Sequence, residues 1–196
     1  MQKINQGSVR IIGGKYRGKK LRFLEVEGLR PTPDRVRETV FNWLMHDIRE
    51  AHCLDAFAGS GALGMEAYSR GASQVLFVEA ERRVFDQLQT VIAEFHAPQL
   101  MVIQTRVIDY LRAQNTHPQQ PFDIVFVDPP FAHPQLFDCI TLLAQSPLLV
   151  DQGLLYVEAP HDLHLDSECW EPLKMKHAGQ VCYALYRKRG GSSLQT

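Results

Sequence analysis

From residue 52 onward, short apolar runs alternate with stretches whose apolar residues recur at helical spacing. The runs are of strand length and lie at residues 52–57, 74–79, 100–104, 122–128, 153–158 and 181–186. The clearest helical stretch places its apolar side chains on one face, at Val84, Phe85, Leu88, Val91, Ile92 and Phe95. Residues 124–127 are all apolar, which is typical of a strand buried on both faces. The pattern therefore predicts an α/β fold in which helices fill the gaps and cover a largely parallel sheet.

The segment before residue 52 has a different pattern. Residues 7–29 are rich in glycine and alternate loosely between apolar and polar positions, which predicts a β-hairpin of two short strands around a glycine turn. A helix is predicted next, with Thr32 as its cap, Pro33 in its first turn and Asp34 near its positive end. We therefore divide the chain into a hairpin extension at 1–30, one α/β domain at 31–188 and a frayed tail at 189–196.

The composition of the 196-residue chain is that of an ordinary soluble globular protein, with 45% hydrophobic and 22% charged residues. No apolar run approaches the roughly 20 residues that are needed to span a bilayer. The four cysteines form no C-x-x-C pair, so we expect neither a disulfide framework nor a zinc site, and the reducing cytoplasm is the expected location. The spacing of His161 and His164 lacks a third ligand, and we expect no metal.

Charge is unevenly distributed along the chain. Residues 1–37 hold ten Lys and Arg against three acidic residues, whereas the whole chain has a formal net charge of −1. A basic N-terminal segment on an acidic body favours a polyanionic partner that is met through this segment. A solvated basic surface without a partner is the alternative that charge alone leaves open.

A glycine-rich turn follows the first strand of the α/β domain. Gly59, Gly61 and Gly64 fit the G-x-G-x-x-G spacing between a strand and a helix, where glycines allow a tight turn and a close approach of the backbone to a ligand. Asp55 and Phe57 precede the turn, and Glu79 ends the next strand, where an acid can accept two ribose hydroxyls. The carboxylate of Asp55 would attract the positively charged ammonium of an amino-acid tail, whereas it would gain nothing from the negatively charged pyrophosphate of a dinucleotide. The pattern favours S-adenosylmethionine, and a tight turn without a ligand is the alternative.

A second motif, Asp128-Pro129-Pro130-Phe131, follows another buried strand and so lies at a carboxyl edge, where open α/β sheets bind ligands. Asp128 and the Pro129 carbonyl can accept the two N–H bonds of an exocyclic amino group and aim its lone pair at a methyl donor. The prolines restrict the turn, and Phe131 can stack on a base. A simple strand-ending turn is the alternative for this tetrapeptide taken alone.

Together these motifs resemble a class I S-adenosylmethionine-dependent methyltransferase, and within that class the RsmD family of bacterial 16S ribosomal RNA guanine-N2 methyltransferases. The family's R-I-I-x-G-x-x-x-G-x-x-L stretch is matched at residues 10–21, and its R-P-T-x-x-x-x-R-E-x-x-F-N segment at residues 30–42. The resemblance covers nearly the whole chain. It implies a Rossmann-like, seven-stranded, mostly parallel sheet flanked by helices, with the small N-terminal hairpin as an extension.

The resemblance also implies roles for individual residues. The cofactor would be bound by Asp55, Phe57, Gly59, Gly61 and Glu79, and the target base by Asp128, Pro129, Pro130 and Phe131. Relatives often place Asn or Asp near the adenine where Arg106 stands, and Arg106 cannot accept a hydrogen bond from the adenine amino group. Backbone contacts from Arg106 and Val107 would serve there instead. The RNA-binding set would be Arg10, Lys15, Arg17, Lys19, Lys20, Arg30 and Arg37. For Arg30, Arg35 and Arg37, folding over the cofactor, or a solvated or structural ion pair such as Arg37–Glu38, is an alternative.

The expected function is methyl transfer from S-adenosylmethionine to N2 of a guanine in 16S ribosomal RNA, within a small subunit or an assembly intermediate, by a monomer. An N6-adenine or N4-cytosine DNA methyltransferase shares the D-P-P-aromatic motif, but the chain shows no target-recognition domain. A protein-glutamine methyltransferase usually reads N-P-P-Y. A non-catalytic RNA-binding module and a dehydrogenase that uses a nicotinamide dinucleotide are alternatives from other classes, and titration with S-adenosylmethionine separates both from the enzyme.

Overall fold

The computed structural model describes residues 6–24, 32–116, 120–130, 135–160 and 162–190. In chain order the elements are β1 (Gln6–Arg10), β2 (Lys20–Leu24), α1 (Asp34–Trp43), β3 (His52–Asp55), α2 (Ala62–Ser69), β4 (Gln74–Glu79), α3 (Arg82–Ala93), β5 (Leu100–Gln104), α4 (Val107–Thr116), β6 (Phe122–Val127), α5 (Leu136–Gln145), β7 (Leu149–Ala159), β8 (Trp170–Ala178) and β9 (Val181–Lys188). Across these ranges, no helix is long and apolar enough to cross a membrane.

Seven of the described strands form one sheet in the order β5-β4-β3-β6-β7-β9-β8. The first five are parallel, and β9 runs antiparallel to both β7 and β8. The chain leaves β3 towards β4 on one side and later returns to β6 on its other side, so the strand order reverses next to β3. Open α/β sheets bind ligands at the carboxyl ends of the strands at such a reversal. The predicted fold class, with its mostly parallel sheet, is confirmed.

The two faces of the sheet bury alternate residues of the same strands. Phe77 of β4 and Phe126 of β6 belong to an apolar cluster with residues of α1, α2 and α3, whereas Val78 and Val125 belong to a second cluster with residues of α4 and α5. This two-sided burial explains why the central strands are continuous apolar runs. It also fixes the positions of the strand ends, because a shift of one residue in the pairing of two strands would move every side chain of a strand to the opposite face of the sheet.

The strand β8 was not among the runs that the sequence indicated. Helical patterns were expected to fill the gaps between runs, but residues 170–178 form an edge strand whose side chains are mostly exposed. Charged side chains are frequent on edge strands, where they oppose pairing with other chains, and they leave no apolar run to read. The strand β7 also begins earlier than predicted, at Leu149.

The N-terminal hairpin is packed against the domain. Its strands pair antiparallel from Gln6 opposite Leu24 to Arg10 opposite Lys20. The side chains of Val9, Ile11 and Leu21 are buried in the same apolar cluster as the central strands. The basic hairpin that the sequence predicted is therefore present and anchored by apolar contacts.

Candidate active site at the carboxyl edge of the sheet

The two sequence motifs line one cavity of about 1320 Å³ at the carboxyl edge of the sheet. Its walls come from the glycine turn, the end of β4, the start of α4, the end of β6 and the end of β7. A cavity of this size exceeds the roughly 300–1,000 Å³ of common small-molecule pockets. It can therefore hold a nucleoside cofactor and a second planar group side by side.

The glycine turn has the conformation that its sequence predicted. Gly61 precedes α2 with φ +73°, in the left-handed region where a side chain is strained. Gly64 lies in the first turn of α2, and a Cβ there would come within 2.3 Å of the Phe77 ring. The third glycine therefore lets α2 pack closely on β4, while the second turns the backbone.

Asp55 is a buried carboxylate beneath this turn. It is 2% exposed, and its Oδ2 accepts a hydrogen bond from the Gly64 amide at 2.9 Å. Burial raises the pKa of Asp55 to about 7, opposed by the Gly64 hydrogen bond and assisted by the charge of Glu79. A carboxyl with this pKa gains strongly from a cation placed beside it in the cavity, since the cation favours the ionised form.

Glu79 is held in place by backbone amides. Its Oε2 accepts from the Gly59 amide at 2.9 Å and its Oε1 from the Glu81 amide at 2.8 Å. Because each carboxylate oxygen can accept two hydrogen bonds, both oxygens keep acceptor capacity towards the cavity. Glu79 thus fixes the glycine turn relative to β4 and can still accept from a ligand.

Asp128 stands at the end of β6 and is bonded to Thr32 across 96 residues of sequence. The Thr32 hydroxyl donates to Asp128 Oδ2 at 2.7 Å. Burial and the charge of Glu158 raise the pKa of Asp128 well above its usual range, and the Thr32 hydrogen bond lowers it. The prediction that Thr32 caps α1 is wrong, because Pro33 occupies the cap position without a side-chain cap bond. The Thr32 side chain is a partner of the site instead.

The other predicted site residues are placed as follows. Phe57, Pro129, Pro130 and Val107 line the cavity, and Phe131 lies outside the described residues. Arg106 also lines the cavity, but its guanidinium bonds Asp109 with Nε–Oδ2 at 2.6 Å. This ion pair occupies the Arg106 side chain, so the backbone is the part of Arg106 that can serve a ligand.

The basic residues of the N-terminal segment divide into two groups. The side chains of Arg10, Lys15, Arg17 and Lys20 are exposed. Lys19 is half-buried, pairs with Glu94 at 3.3 Å and lies over the Phe95 ring. Arg30 lies outside the described residues. The four exposed side chains are therefore available to a polyanion, and the half-buried Lys19 is partly available.

The structure corrects the prediction that Arg37 binds RNA. Its side chain is fully buried, and its guanidinium donates to the Arg10 carbonyl at 2.8 Å and to Asp34 Oδ1 at 2.6 Å. The same group lies 3.6 Å from the buried carboxylate of Glu66. An interior cation with these partners holds the hairpin on α1 and α2 and does not present its charge to a phosphate.

Sequence reasoning missed Glu66, a fully buried acid in α2. It accepts hydrogen bonds from the Ile12 and Gly13 amides at 2.7 and 2.8 Å and from Arg70 Nε at 2.6 Å. The signal available was a single acid inside an otherwise apolar helix, because a buried charge requires partners. Arg70 is only one helical turn away, but the Ile12 and Gly13 amides lie far away in sequence, so the pattern could not name them.

A group of potential metal-ligand side chains lies near the cavity. Asp162, His177 and Cys182 place three potential ligand atoms within 4.8 Å of one another, although the sequence pointed to His161 and His164. His177 Nε2 and Asp162 Oδ1 are 2.5 Å apart and exposed, as in a surface ion pair. His161 lies outside the described residues, and we assign no metal to this group.

Comparison with known proteins identifies the family. A family model described as conserved hypothetical protein 95 matches residues 9–187. This chain belongs to that family. The resemblance to the RsmD family is confirmed, since the chain is 45% identical over 184 residues to ribosomal RNA small subunit methyltransferase D of Escherichia coli K12, covering 93% of this chain and 91% of the relative.

Two further matches agree with this assignment. The Haemophilus influenzae protein of the same name is 45% identical over 185 residues, which cover 93% of this chain and 95% of the relative. The solved structure of the Escherichia coli protein yhhF superposes with a TM-score of 0.84 at 45% identity, covering 93% of this chain and 99% of that one. The match extends over the hairpin, the sheet and the edge that carries the cavity.

Proposed function

We propose that this chain transfers a methyl group from S-adenosylmethionine to the exocyclic N2 of a guanine in 16S ribosomal RNA. The observation that carries the proposal is the single cavity that joins the glycine turn to Asp128, Pro129 and Pro130. In such a cavity, a nucleoside bound at the glycine turn and an amino group held by Asp128 and the prolines would lie next to each other. The names of the 45% identical relatives support ribosomal RNA of the small subunit as the substrate class.

The residues of the cofactor half fit S-adenosylmethionine by their chemistry. Asp55 is a buried anion suited to the ammonium of the methionine part, and Glu79 keeps acceptor capacity for ribose hydroxyls. The apolar side chains of Phe57 and Val107 offer the surface for the adenine ring. When bound, the cofactor supplies an electrophilic methyl group on a sulfonium.

The residues of the base half prepare the nucleophile. Asp128 Oδ and the Pro129 carbonyl accept the two N–H bonds of the amino group, which directs its lone pair towards the methyl. As the new N–C bond forms and the methyl–sulfur bond breaks, N2 loses one proton, and Asp128 is placed to receive it. The two prolines reduce the entropy lost in holding this arrangement, and Phe131 stacks on the base.

The exposed basic residues of the hairpin would contact RNA phosphates. Arg10, Lys15, Arg17 and Lys20 carry this role, with Lys19 as a partial contributor and Arg30 included from the sequence. A base within a duplex cannot reach the cavity, so the target guanine lies in a loop or is flipped out. Since one short hairpin supplies few phosphate contacts, we infer that the substrate is a small subunit or an assembly intermediate.

A monomer is the proposed active form, with the hairpin as an extension of a methyltransferase domain at residues 31–188. Among the described residues, the large apolar side chains that are exposed are Met45, Met101, Phe137 and Met175, which lie on different elements or loops of the fold. Such scattered apolar residues do not form the continuous patch that a stable dimer buries.

The experiment that tests the role assignment compares Asp128→Ala with Asp47→Ala, a control at an exposed acid. We expect Asp128→Ala to lower methyl transfer to methyl-deficient small subunits by at least about 100-fold, the scale of a lost transition-state hydrogen-bonding group. Cofactor affinity, measured by calorimetry, should stay within a few-fold of the wild type. Loss of transfer and cofactor binding together would contradict the role given to Asp128.

A further inference from the structure

A second carboxylate stands beside Asp128 at the edge of the sheet. The strands β6 and β7 are parallel neighbours, with Val127 paired to Val157. The next residues along each strand are Asp128 and Glu158, so these two acids face each other across a strand spacing of about 4.8 Å. Both line the cavity and both are half-buried.

Hydroxyl groups hold both carboxylates. Thr32 Oγ1 donates to Asp128 Oδ2 at 2.7 Å, and Tyr156 Oη donates to Glu158 Oε1 at 2.7 Å. Thr32 is 5% exposed and Tyr156 fully buried, so neither hydroxyl is free to swing away. One bond from each hydroxyl leaves most of the acceptor capacity of the two carboxylates available to a ligand.

The electrostatics of the pair favour a ligand that brings hydrogen-bond donors. Burial raises the pKa of both acids, and the charge of Glu158 raises the pKa of Asp128 further. The hydrogen bond from Tyr156 lowers the pKa of Glu158 but does not remove the effect of burial. Two partly desolvated carboxylates side by side are stabilised by N–H donors that reach both of them.

Among the nucleobases, guanine offers adjacent donors on the edge that carries its amino group. Its N1–H stands next to the N2 amino group, so two carboxylates can each accept from it. In adenine and cytosine the ring nitrogen next to the amino group carries a lone pair instead. A carboxylate opposite that lone pair would be repelled and left without a hydrogen-bond partner. The site would therefore strongly reject adenine and cytosine.

We propose that Glu158, held by Tyr156, accepts the N1–H of the target guanine while Asp128 accepts from N2, so that Glu158 selects guanine. This inference rests on the proposed function and adds the residue that chooses the base. Thr32 and Tyr156 act as positioning residues, because they orient the two carboxylates without touching the base.

The test replaces the target guanine by 2-aminopurine, which keeps the N2 amino group and lacks the N1–H. Once nucleoside mapping has located the methylated guanine, small subunits are rebuilt with either base at that position. For the wild type we expect the replacement to lower kcat/KM by about 5- to 150-fold, which corresponds to about 1–3 kcal/mol for a specific base contact. For Glu158→Gln the same replacement should change kcat/KM less than about threefold, because the Gln amide can accept from the N1–H of guanine or, turned round, donate to the N1 lone pair of 2-aminopurine.

Two further variants and two control measurements make the outcome decisive. Glu168→Gln, at an exposed acid before β8, should keep the wild-type ratio of the two substrates. Tyr156→Phe should reduce that ratio while cofactor affinity is retained. Cofactor titration and thermal denaturation of each variant verify that the cofactor site and the fold are intact.

The outcomes separate the inference from the proposed function. An equal loss on 2-aminopurine for the wild type and Glu158→Gln would overturn the role of Glu158 while leaving guanine methylation in place. Failure of the wild type to methylate guanine in any small subunit would overturn both. Transfer of the methyl group to guanine with no discrimination against 2-aminopurine would also overturn the role of Glu158.

Discussion

If the buried carboxyl of Asp55 binds the cofactor's ammonium, as we propose, cofactor binding depends on pH. Its pKa in the folded protein is raised to about 7 by burial, from an ordinary value of 3.8. An ammonium group placed beside it favours the ionised form, so binding of S-adenosylmethionine should weaken as the pH falls from 8 to 6. We expect a decrease of up to about tenfold per pH unit, the limit for one linked proton. Calorimetric titration across this range, with Asp55→Asn as the comparison, measures it; an equal pH dependence in both proteins would contradict the assignment.

The same carboxyl lowers the stability of the ligand-free protein above neutral pH. A group whose folded pKa is raised contributes full stability below its unfolded pKa and loses that contribution as the pH rises through the folded value. Asp55→Asn should therefore gain stability relative to the wild type between about pH 4 and pH 7, by about 1.4 kcal/mol per pH unit at most. Thermal denaturation from pH 4 to pH 8 checks this, and a constant difference between the two proteins would refute it.

Single residues differ in how far their sequence context indicates their role. Asp55, Glu79 and Asp128 could be predicted as edge carboxylates, because each ends a buried apolar strand. Thr32 and Arg37 could not be placed, because local context suggested a helix cap and a phosphate contact. Thr32 bonds Asp128 far along the chain, and Arg37 contacts Glu66 in addition to the local Asp34. Hydrogen bonds to residues distant in sequence took the place of the local contacts that their neighbours in the sequence suggested.

At the scale of elements, the hairpin is fastened to the helix that begins at the glycine turn. Glu66 of α2 accepts from the Ile12 and Gly13 amides, and Ser69 of α2 accepts from the Tyr16 amide at 2.9 Å. Since α2 begins directly after Gly61, the basic hairpin and the cofactor turn share one rigid element. RNA that binds to the hairpin, as we propose, would thereby be held in a fixed relation to the cavity.

Glu66→Gln tests this connection. The variant keeps the volume of the side chain but leaves the Arg37 and Arg70 guanidinium groups without their buried anion, which costs about 3–5 kcal/mol. For a chain of this size, we expect the melting temperature to fall by roughly 10 °C. Differential scanning calorimetry measures the change.

Glu171→Gln is the matched control for Glu66→Gln. It breaks an exposed pair with Arg187 at 3.5 Å, which should cost less than about 1 kcal/mol. Similar losses of stability in the two variants would show that the buried ion pairs around Glu66 are not the anchor of the hairpin.

The elements were predictable to different degrees for a physical reason. Central strands such as β4 and β6 are buried on both faces, so their sequences are continuous apolar runs that mark them directly. The edge strand β8 exposes most of its side chains and carries Lys174 and Lys176, so its sequence lacks that mark. Its position depends on pairing with β9, which no local pattern shows.

Considered as a whole molecule, the chain joins a hairpin with several exposed cations to a domain in which acidic residues outnumber basic ones. The combined substitution of Lys15, Arg17 and Lys20 by alanine should weaken small-subunit binding at low salt. It should also reduce the salt dependence of binding by close to one unit of log–log slope per lost phosphate contact. Cofactor affinity should not change. Filter-binding assays at several salt concentrations measure both quantities.

A control substitution of Lys174 and Lys176 by alanine removes two charges from the exposed edge strand β8 instead. It should alter binding much less than the hairpin variant. An equal weakening by both variants would mean that net charge, and not the hairpin surface, governs RNA binding.

The central claim is methylation of guanine N2 in small-subunit ribosomal RNA, and transfer of labelled methyl from S-adenosylmethionine tests it most directly. The acceptors are small subunits from cells that lack this protein, protein-free 16S RNA and duplex DNA, each followed by nucleoside analysis. The account predicts label in N2-methylguanosine, with small subunits as the better acceptor. Label in methyladenine or methylcytosine of DNA, or no label in any acceptor despite measurable cofactor binding, would contradict it.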